Sequence, residues 1–339
     1  MSEYKTIFGK AIKSLSSDPT DAGAEGQIWY NTTTGSFRTV LSVGAWASST
    51  AVNTERSFGA SSGGPVTSSL FFGGYYPGDA SPNTGSTRTE QWNGSSWTEV
   101  NDSNTRRYNN TGIIDDANAA LMTGGFVGPP GNTNANELWD GTNWTTVNNY
   151  PQNIATGGAG GTTSSGIYVS GGLGGGTYST DTNEWDGTNW TAGGAYPTGT
   201  QSLAVSAASS SDAVAFGGRD APPTNALNIT NSYNGTSWSS ENTLNTGRKS
   251  IYGSGNSSTS AWVAGGTTDP ATKLQSTETW DGTSWTTKPS MATNSYLGGS
   301  AGTSSTNGLA ISGLNTSGSA VANVEEFTSA PVTKTFTTS

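Results

Sequence analysis

Three arginines pose the first chemical question. Arg56, Arg107 and Arg248 each follow a tryptophan by ten residues (Trp46, Trp97 and Trp238), in a chain with only 14 lysines and arginines. A guanidinium is a planar fork of donors, and three in one register, in a chain so poor in basic residues, are candidate ligand-binding residues. The competing reading is that they cap strands or pair with a neighbour such as Glu55. The acids offer less. Asp140, Asp186 and Asp281 recur at one position of a repeated hexapeptide and read as turn chemistry, whereas a glycoside hydrolase needs two facing carboxylates. Asp115-Asp116 could hold a cation, but no Asp-x-Asp-x-Asp-Gly loop accompanies it. The run Gly172-Leu173-Gly174-Gly175-Gly176 lacks the following helix that a phosphate cradle requires. Tyr75-Tyr76-Pro77 is a loop composition suited to stacking on sugars. The chain has no His and no Cys, which removes the commonest general base and metal ligand, thiolate metal sites and disulfides. No catalytic residue, metal or cofactor is expected.

The elements that would position these residues are set by a repeat. Trp185-Asp186-Gly187-Thr188-Asn189-Trp190 has four relatives, closing on Trp97, Trp144, Trp238 and Trp285, with a period of 46 to 48 residues. Asp-Gly and Asn-Gly suit the two centres of a type I′ hairpin turn, and the flanking aromatics mark its two strands. Self-similarity at this length signals a β-propeller with one four-stranded sheet per repeat. Upstream of each hairpin lies a strand ending in a double glycine: Phe71-Phe72-Gly73-Gly74, Met122-Thr123-Gly124-Gly125, Val169-Ser170-Gly171-Gly172, Ala215-Phe216-Gly217-Gly218 and Val263-Ala264-Gly265-Gly266. A first strand of small residues, such as Arg56-Ser57-Phe58-Gly59-Ala60, fits the crowded axis. The paired tryptophans fill the wide outer part of each sheet.

The sixth unit is irregular. Ala310-Ile311-Ser312-Gly313 and Val324-Glu325-Glu326-Phe327 stand for its second and third strands, and no Gly-x-x-Trp hairpin follows. Trp46 has the spacing to Arg56 that a fourth-strand tryptophan should have, but no sheet of its own. Residues 41–48 are therefore expected to supply the outer strand of the sixth sheet, closing the ring and removing an open edge. Seven blades would need a first and second strand that residues 27–48 do not contain. The expected organisation is an N-terminal arm over 1–26, a hairpin over 27–48 that supplies the closing strand, a six-bladed propeller over 49–330, and a tail or added strand over 331–339.

Composition bounds the partners. The net charge of −10 and pI near 4.4 disfavour nucleic acid, and no apolar run is long enough to cross a membrane. Neither a signal peptide nor an anchor is evident. In the arm, Tyr4, Ile7, Phe8, Ile12 and Leu15 fit one helical face, although Gly9 makes an extended segment nearly as good a fit; they are candidate assembly residues that dock on a partner subunit.

Two resemblances follow. The order diglycine, acid, aromatic, tryptophan resembles the kelch repeat over residues 50–330, with Glu90-Gln91-Trp92, Glu137-Leu138-Trp139 and Glu278-Thr279-Trp280 matching the acid-then-aromatic step. That resemblance implies a kelch-like, all-β propeller in which Arg56, Arg107 and Arg248 face the channel mouth and contact an acidic ligand. The other three repeats carry Gln, Asn or Thr near that point. Galactose-oxidase chemistry would need the absent His and Cys, and the adjacent Asp-Gly pairs depart from the sialidase-type repeat. Ser17-Asp18-Pro19 through Glu25-Gly26-Gln27-Ile28-Trp29-Tyr30-Asn31 is similar to the N-terminal segment of marine tailed-phage structural proteins. It implies a non-enzymatic virion protein, in a tail fibre, baseplate or capsid decoration. Such a protein would be multimeric in the particle, joined to other virion proteins through its arm, and able to display the propeller to a host-surface glycan or protein. The alternatives are a bacterial kelch-type adhesin and a propeller glycan hydrolase.

Overall fold

The computed structural model describes residues 12–19, 27–60, 62–76, 78, 85–129, 131–220, 225–269 and 272–336. All the regular structure among them is β-strand, and the chain divides into two compact units, 46–327 and 1–45 with 328–339. The division falls inside the expected 27–48 hairpin. The larger unit is a six-bladed β-propeller.

Blades two to five are four-stranded antiparallel sheets, from Thr111–Asp116 through Trp285–Lys288. In blade two, Thr111–Asp116, Ala119–Thr123, Asn136–Trp139 and Trp144–Val147 run from the axis outward, with Trp139 paired to Trp144 across the hairpin. The hairpin turn differs from the type I′ expected. Among its four connecting residues only the glycine has positive φ, between 86° and 92° in all five copies. The preceding Asp or Asn works through its side chain: Asp140 Oδ1 accepts the N–H groups of Thr142 and Asn143, both at 2.8 Å. This is an Asx cap, the second way that a short polar side chain makes a turn.

Blade six consists of Gly299–Ser304, Asn307–Ile311, the start of Val324–Thr335 and the end of Ser36–Ser49. Trp46 is in the fourth-strand register, as its spacing predicts. Its Nε1 donates to Thr277 Oγ1 of blade five at 2.8 Å, the same bond that Trp144 makes to Thr89, Trp238 to Thr182 and Trp285 to Thr230.

Two rings of backbone hydrogen bonds count the blades independently. Phe58, Asn109, Thr156, Ser202, Ser250 and Leu297, one per blade, all adopt left-handed φ of 55–59°. Each N–H donates to the carbonyl of its predecessor, from Asn109 to Phe58 at 2.9 Å round to Phe58 to Leu297 at 2.6 Å. Left-handed Thr, Phe and Leu are sterically costly, and a closed ring of six bonds holds them there. In the second ring, a glycine just past each second strand donates to the next blade, as in Gly125 to Ile154 at 2.8 Å and Gly313 to Arg56 at 3.0 Å. A Cβ on Gly124 would lie 2.5 Å from the Ile154 carbonyl oxygen, so close approach requires glycine there.

Blade one is the exception. Its regular strands are Ser69–Phe72, Thr89–Trp92 and Trp97–Val100; the expected inner strand over 56–60 makes only isolated bridges, at Ser57 and Ala60. Residues 62–64 instead turn across the foot of the axis. Ser62 Oγ donates to Ala159 of blade three at 3.1 Å, and Gly63 N–H donates to Ser254 Oγ of blade five at 3.0 Å. The Gly64 carbonyl accepts from Gly302 of blade six at 2.9 Å.

The apolar core lies between neighbouring sheets. Leu70 and Phe72 of blade one, for example, pack with Ile114, Met122, Trp139 and Trp144 of blade two.

In the smaller unit, Lys13–Leu15 is a strand parallel to Trp29–Asn31, so the helix considered for the arm is absent over these residues. Ile28–Asn31 pairs antiparallel with the start of Ser36–Ser49, as expected. Asp18 ties this unit together: it accepts from Asn31 Nδ2 at 2.7 Å and Trp29 Nε1 at 3.1 Å, and it pairs with Arg38. Residues 331–335 continue the strand Val324–Thr335. Tyr4, Ile7 and Phe8 lie outside the described residues.

Candidate functional site

The arginine expectation needs correction. Arg56, Arg107 and Arg248 are each 0% exposed, so none can meet a ligand at the mouth. Each is paired to the acid of the acid-then-aromatic step in its own blade: Arg56 to Glu90 at 2.9 Å, Arg248 to Glu278 at 2.8 Å, and Arg107 to Glu137. Glu55 is not the partner. The same carboxylates hold the strand-four-to-one connector, Glu137 accepting from Asn104 and Thr105 and Glu278 from Asn245 and Thr246. Burial pulls the three guanidinium pKa values down, and the glutamates act against that pull. Such pairs are fold chemistry.

The blades without arginine solve the same packing problem with neutral groups. In blade three Asn183 Nδ2 donates to the Tyr150 hydroxyl at 2.6 Å, and in blade four Asn231 donates to Tyr196 at 3.2 Å. Blade six keeps Glu325 on the connector N–H groups of Ala292 and Thr293. The sequence did carry the signal: Glu90, Glu137 and Glu278 sit two residues before the third-strand tryptophan only in the blades that have an arginine.

The other acids are also engaged. Asp115 accepts from Thr163 N–H at 2.9 Å and Oγ1 at 2.6 Å, stapling blade two to blade three. Asp116 Oδ1 caps Asn118 N–H at 2.6 Å. No cluster of three or more carboxylates arranged for a metal occurs among the described residues. The Gly172–Gly176 run forms a small hairpin with Thr177–Tyr178.

What the geometry does assemble is a mouth. Beneath it, a well of about 110 Å³ is lined by each blade's inner edge, including Ala60, Thr111, Ala159, Val205, Gly253 and Ser300. Above it, the six left-handed residues encircle a second space of about 100 Å³. Each space has room for several water molecules.

The rim residues come in bridged pairs: Ser57 with Tyr75, Tyr108 with Phe126, Ala155 with Gly172, Gln201 with Arg219, Lys249 with Thr267, and Tyr296 with Leu314. They divide the rim in two. Adjacent blades six, one and two present aromatics, with Tyr108 at the centre of a cluster: ring centroids lie 5.1 Å from Phe126, 5.9 Å from Phe58 and 6.1 Å from Tyr75. These four rings are half-buried. Burial, with Tyr75 adding to it, raises the Tyr108 hydroxyl pKa.

Blades four and five present polar groups, and blade three adds Thr156 and the Tyr178 hydroxyl beside its Ala155–Gly172 pair. With its amide oxygen turned toward the donors, Gln201 accepts from Arg219 Nε at 2.6 Å and the Tyr178 hydroxyl at 3.0 Å, and donates to Thr156 Oγ1 at 2.9 Å. Lys249 is paired with Asp269. Tyr75 is thus the one member of the Tyr75-Tyr76-Pro77 loop at the centre of the arrangement; Tyr76 lies under Arg88, and Pro77 is outside the described residues. The rest of the mouth was not legible as a site, because its members are scattered one or two per repeat.

The far face is different in charge. Strands alternate in direction, so the turns after each first and third strand lie opposite the mouth. These turns and the strand ends beside them carry Asp115, Asp116, Asp140, Asp186, Asp212 and Asp281 and no Lys or Arg.

Compared with known protein families and with curated proteins, the chain matches no family model and no curated sequence.

Proposed function

We propose that this chain is a non-enzymatic virion structural protein of a tailed phage, held to the particle by its smaller unit and displaying the propeller for host-surface or subunit binding. The resemblance of residues 17–31 to phage structural segments motivates this reading, and the kelch resemblance fits a binding propeller.

One structural observation carries it furthest. Of the five exposed large apolar side chains among the described residues, Ile28, Val43, Val332 and Phe336 belong to the smaller unit, and only Leu173 belongs to the propeller. Exposed apolar surface concentrated in one unit is what an assembly contact requires. The phage-like residues themselves form one hydrogen-bonded knot about Asp18, Trp29 and Asn31. In the propeller, the buried arginines and the recurrent acids all have fold roles, which favours binding over catalysis.

Mass spectrometry of purified virions tests the proposal: the polypeptide is expected in the particle, and its absence overturns the reading. A protein lacking residues 1–26 is expected to fold its propeller and fail to join particles; normal incorporation would reject the attachment role.

A further inference from the structure

We propose that the divided rim of the axial mouth is a binding site for a neutral carbohydrate, stacked on Tyr75, Tyr108 and Phe126 and hydrogen-bonded by Gln201 and Arg219. This rests on the reading of the propeller as a displayed binding module, and names its ligand class and its residues.

The aromatic arc supplies the apolar half of such a site. Half-buried rings packed against one another, Tyr75 edge-on to Tyr108 and Phe126 tilted to it, present surface at small entropic cost, because their rotamers are already set by their neighbours. The C–H face of a pyranose matches that surface in size and in its weak positive polarity. The polar arc supplies the other half. An amide and a guanidinium are planar groups that offer paired donors and acceptors, the geometry that vicinal sugar hydroxyls present. Gln201, 7% exposed, is held between Arg219, Tyr178 and Thr156, so its orientation is fixed before a ligand arrives and one amide N–H is left to donate. The well beneath is lined by backbone edges and by Thr111 and Ser300, and water within it can relay further hydroxyl contacts.

The chemistry of the rim argues against other ligands. Lys249 is neutralised by Asp269, which leaves Arg219, hydrogen-bonded to the neutral amide of Gln201, as the one other cation among the rim pairs, a single charge rather than the cluster that a polyanion needs.

The test uses the full-length protein on a printed array of bacterial O-antigen and capsular glycans. Binding to at least one neutral glycan is expected. The double variant Tyr75→Ala/Tyr108→Ala and, separately, Gln201→Ala should each weaken it at least tenfold, while Thr188→Ala on the far face should leave it unchanged. Thermal midpoints of all variants separate lost binding from lost folding, and Gln201→Ala keeps the test valid if the aromatic pair is needed to fold. A blank array, binding only to acidic polymers, or equal binding by the rim variants overturns the inference. Virion content separates the two claims: a particle-borne protein with a blank array sinks the carbohydrate site alone, and a glycan-binding protein absent from particles sinks the virion reading alone.

Discussion

Trp46 packs its indole against Phe327 with ring centroids 5.3 Å apart, bringing residues from opposite ends of the chain into one sheet. The same indole meets Trp262 of blade five edge-on at 5.8 Å. The contact lets the last blade be completed by the end of the strand Ser36–Ser49, so that the ring has neither a missing wall nor an open edge. The site over the mouth depends on that closure, because its aromatic arc begins in blade six and continues into blades one and two.

The buried ion pairs yield a prediction with two arms. Glu137→Ala leaves Arg107 charged at 0% exposure with only the Gly124 and Ala135 carbonyls as partners and no carboxylate, and the loss of stability should be about 3–5 kcal/mol. The triple variant Ser103→Tyr, Arg107→Ile, Glu137→Asn installs the arrangement of blade three, Tyr150, Ile154 and Asn183. It should recover most of that loss in denaturant unfolding. A triple variant no better than the single would mean that the neutral solution is not portable between blades.

Trp144 gives a graded series. Its indole meets Phe72 of blade one at 4.9 Å and donates Nε1 to Thr89 Oγ1 at 2.9 Å. Trp144→Ala should cost about 3–5 kcal/mol, whereas Trp144→Phe keeps the ring and loses the hydrogen bond. The smaller change, with Thr89 left unpartnered, should cost about 1–3 kcal/mol. Equal losses for the two variants in chemical denaturation would show that packing is not what this residue contributes.

The dependence on pH has a definite sign at each end. Backbone N–H donors from Asn143 and Thr142 lower the Asp140 pKa, and those from Asn189 and Thr188 lower Asp186. Burial acts to raise Asp281, but the donors of Ser284 and Thr283 outweigh it. A depressed folded pKa gives stability that is present above about pH 4 and lost as pH falls through the folded values.

Burial pushes Tyr168 up to about 12, and Tyr150, Tyr196 and Tyr252 upward as well. These groups are neutral in both states below about pH 10. Above it the unfolded chain ionises first, and stability falls by up to about 1.4 kcal/mol per pH unit for each tyrosine. Denaturant midpoints should be level from pH 5 to 9 and drop steeply between 10 and 12. A flat profile across that alkaline window would contradict the burial of these hydroxyls.

Much of this architecture is legible in the residues because it repeats. Trp97 and its four counterparts mark the hairpins, and the orphan Trp46 marks the closing strand. The turn geometry is not legible in the residues, because Asp-Gly satisfies two turn types and only φ distinguishes them. Arg56, Arg107 and Arg248 were misplaced for a related reason: a repeat register gives position along a strand but not depth, and burial is decided by partners such as Glu137 on another strand. The diversion of residues 62–64 across the axis has no repeat counterpart, so nothing in the period announces it. The mouth is least legible because Tyr108, Gln201 and Arg219 become neighbours only when the ring closes.

A double-mutant cycle between Trp46 and Phe327 measures that closure most directly. Alanine at each position, singly and together, should reveal a coupling of about 0.5–1.5 kcal/mol in denaturant unfolding, the range for a packed aromatic pair. Strictly additive losses, with coupling near zero, would mean that the two ends of the chain do not share a sheet.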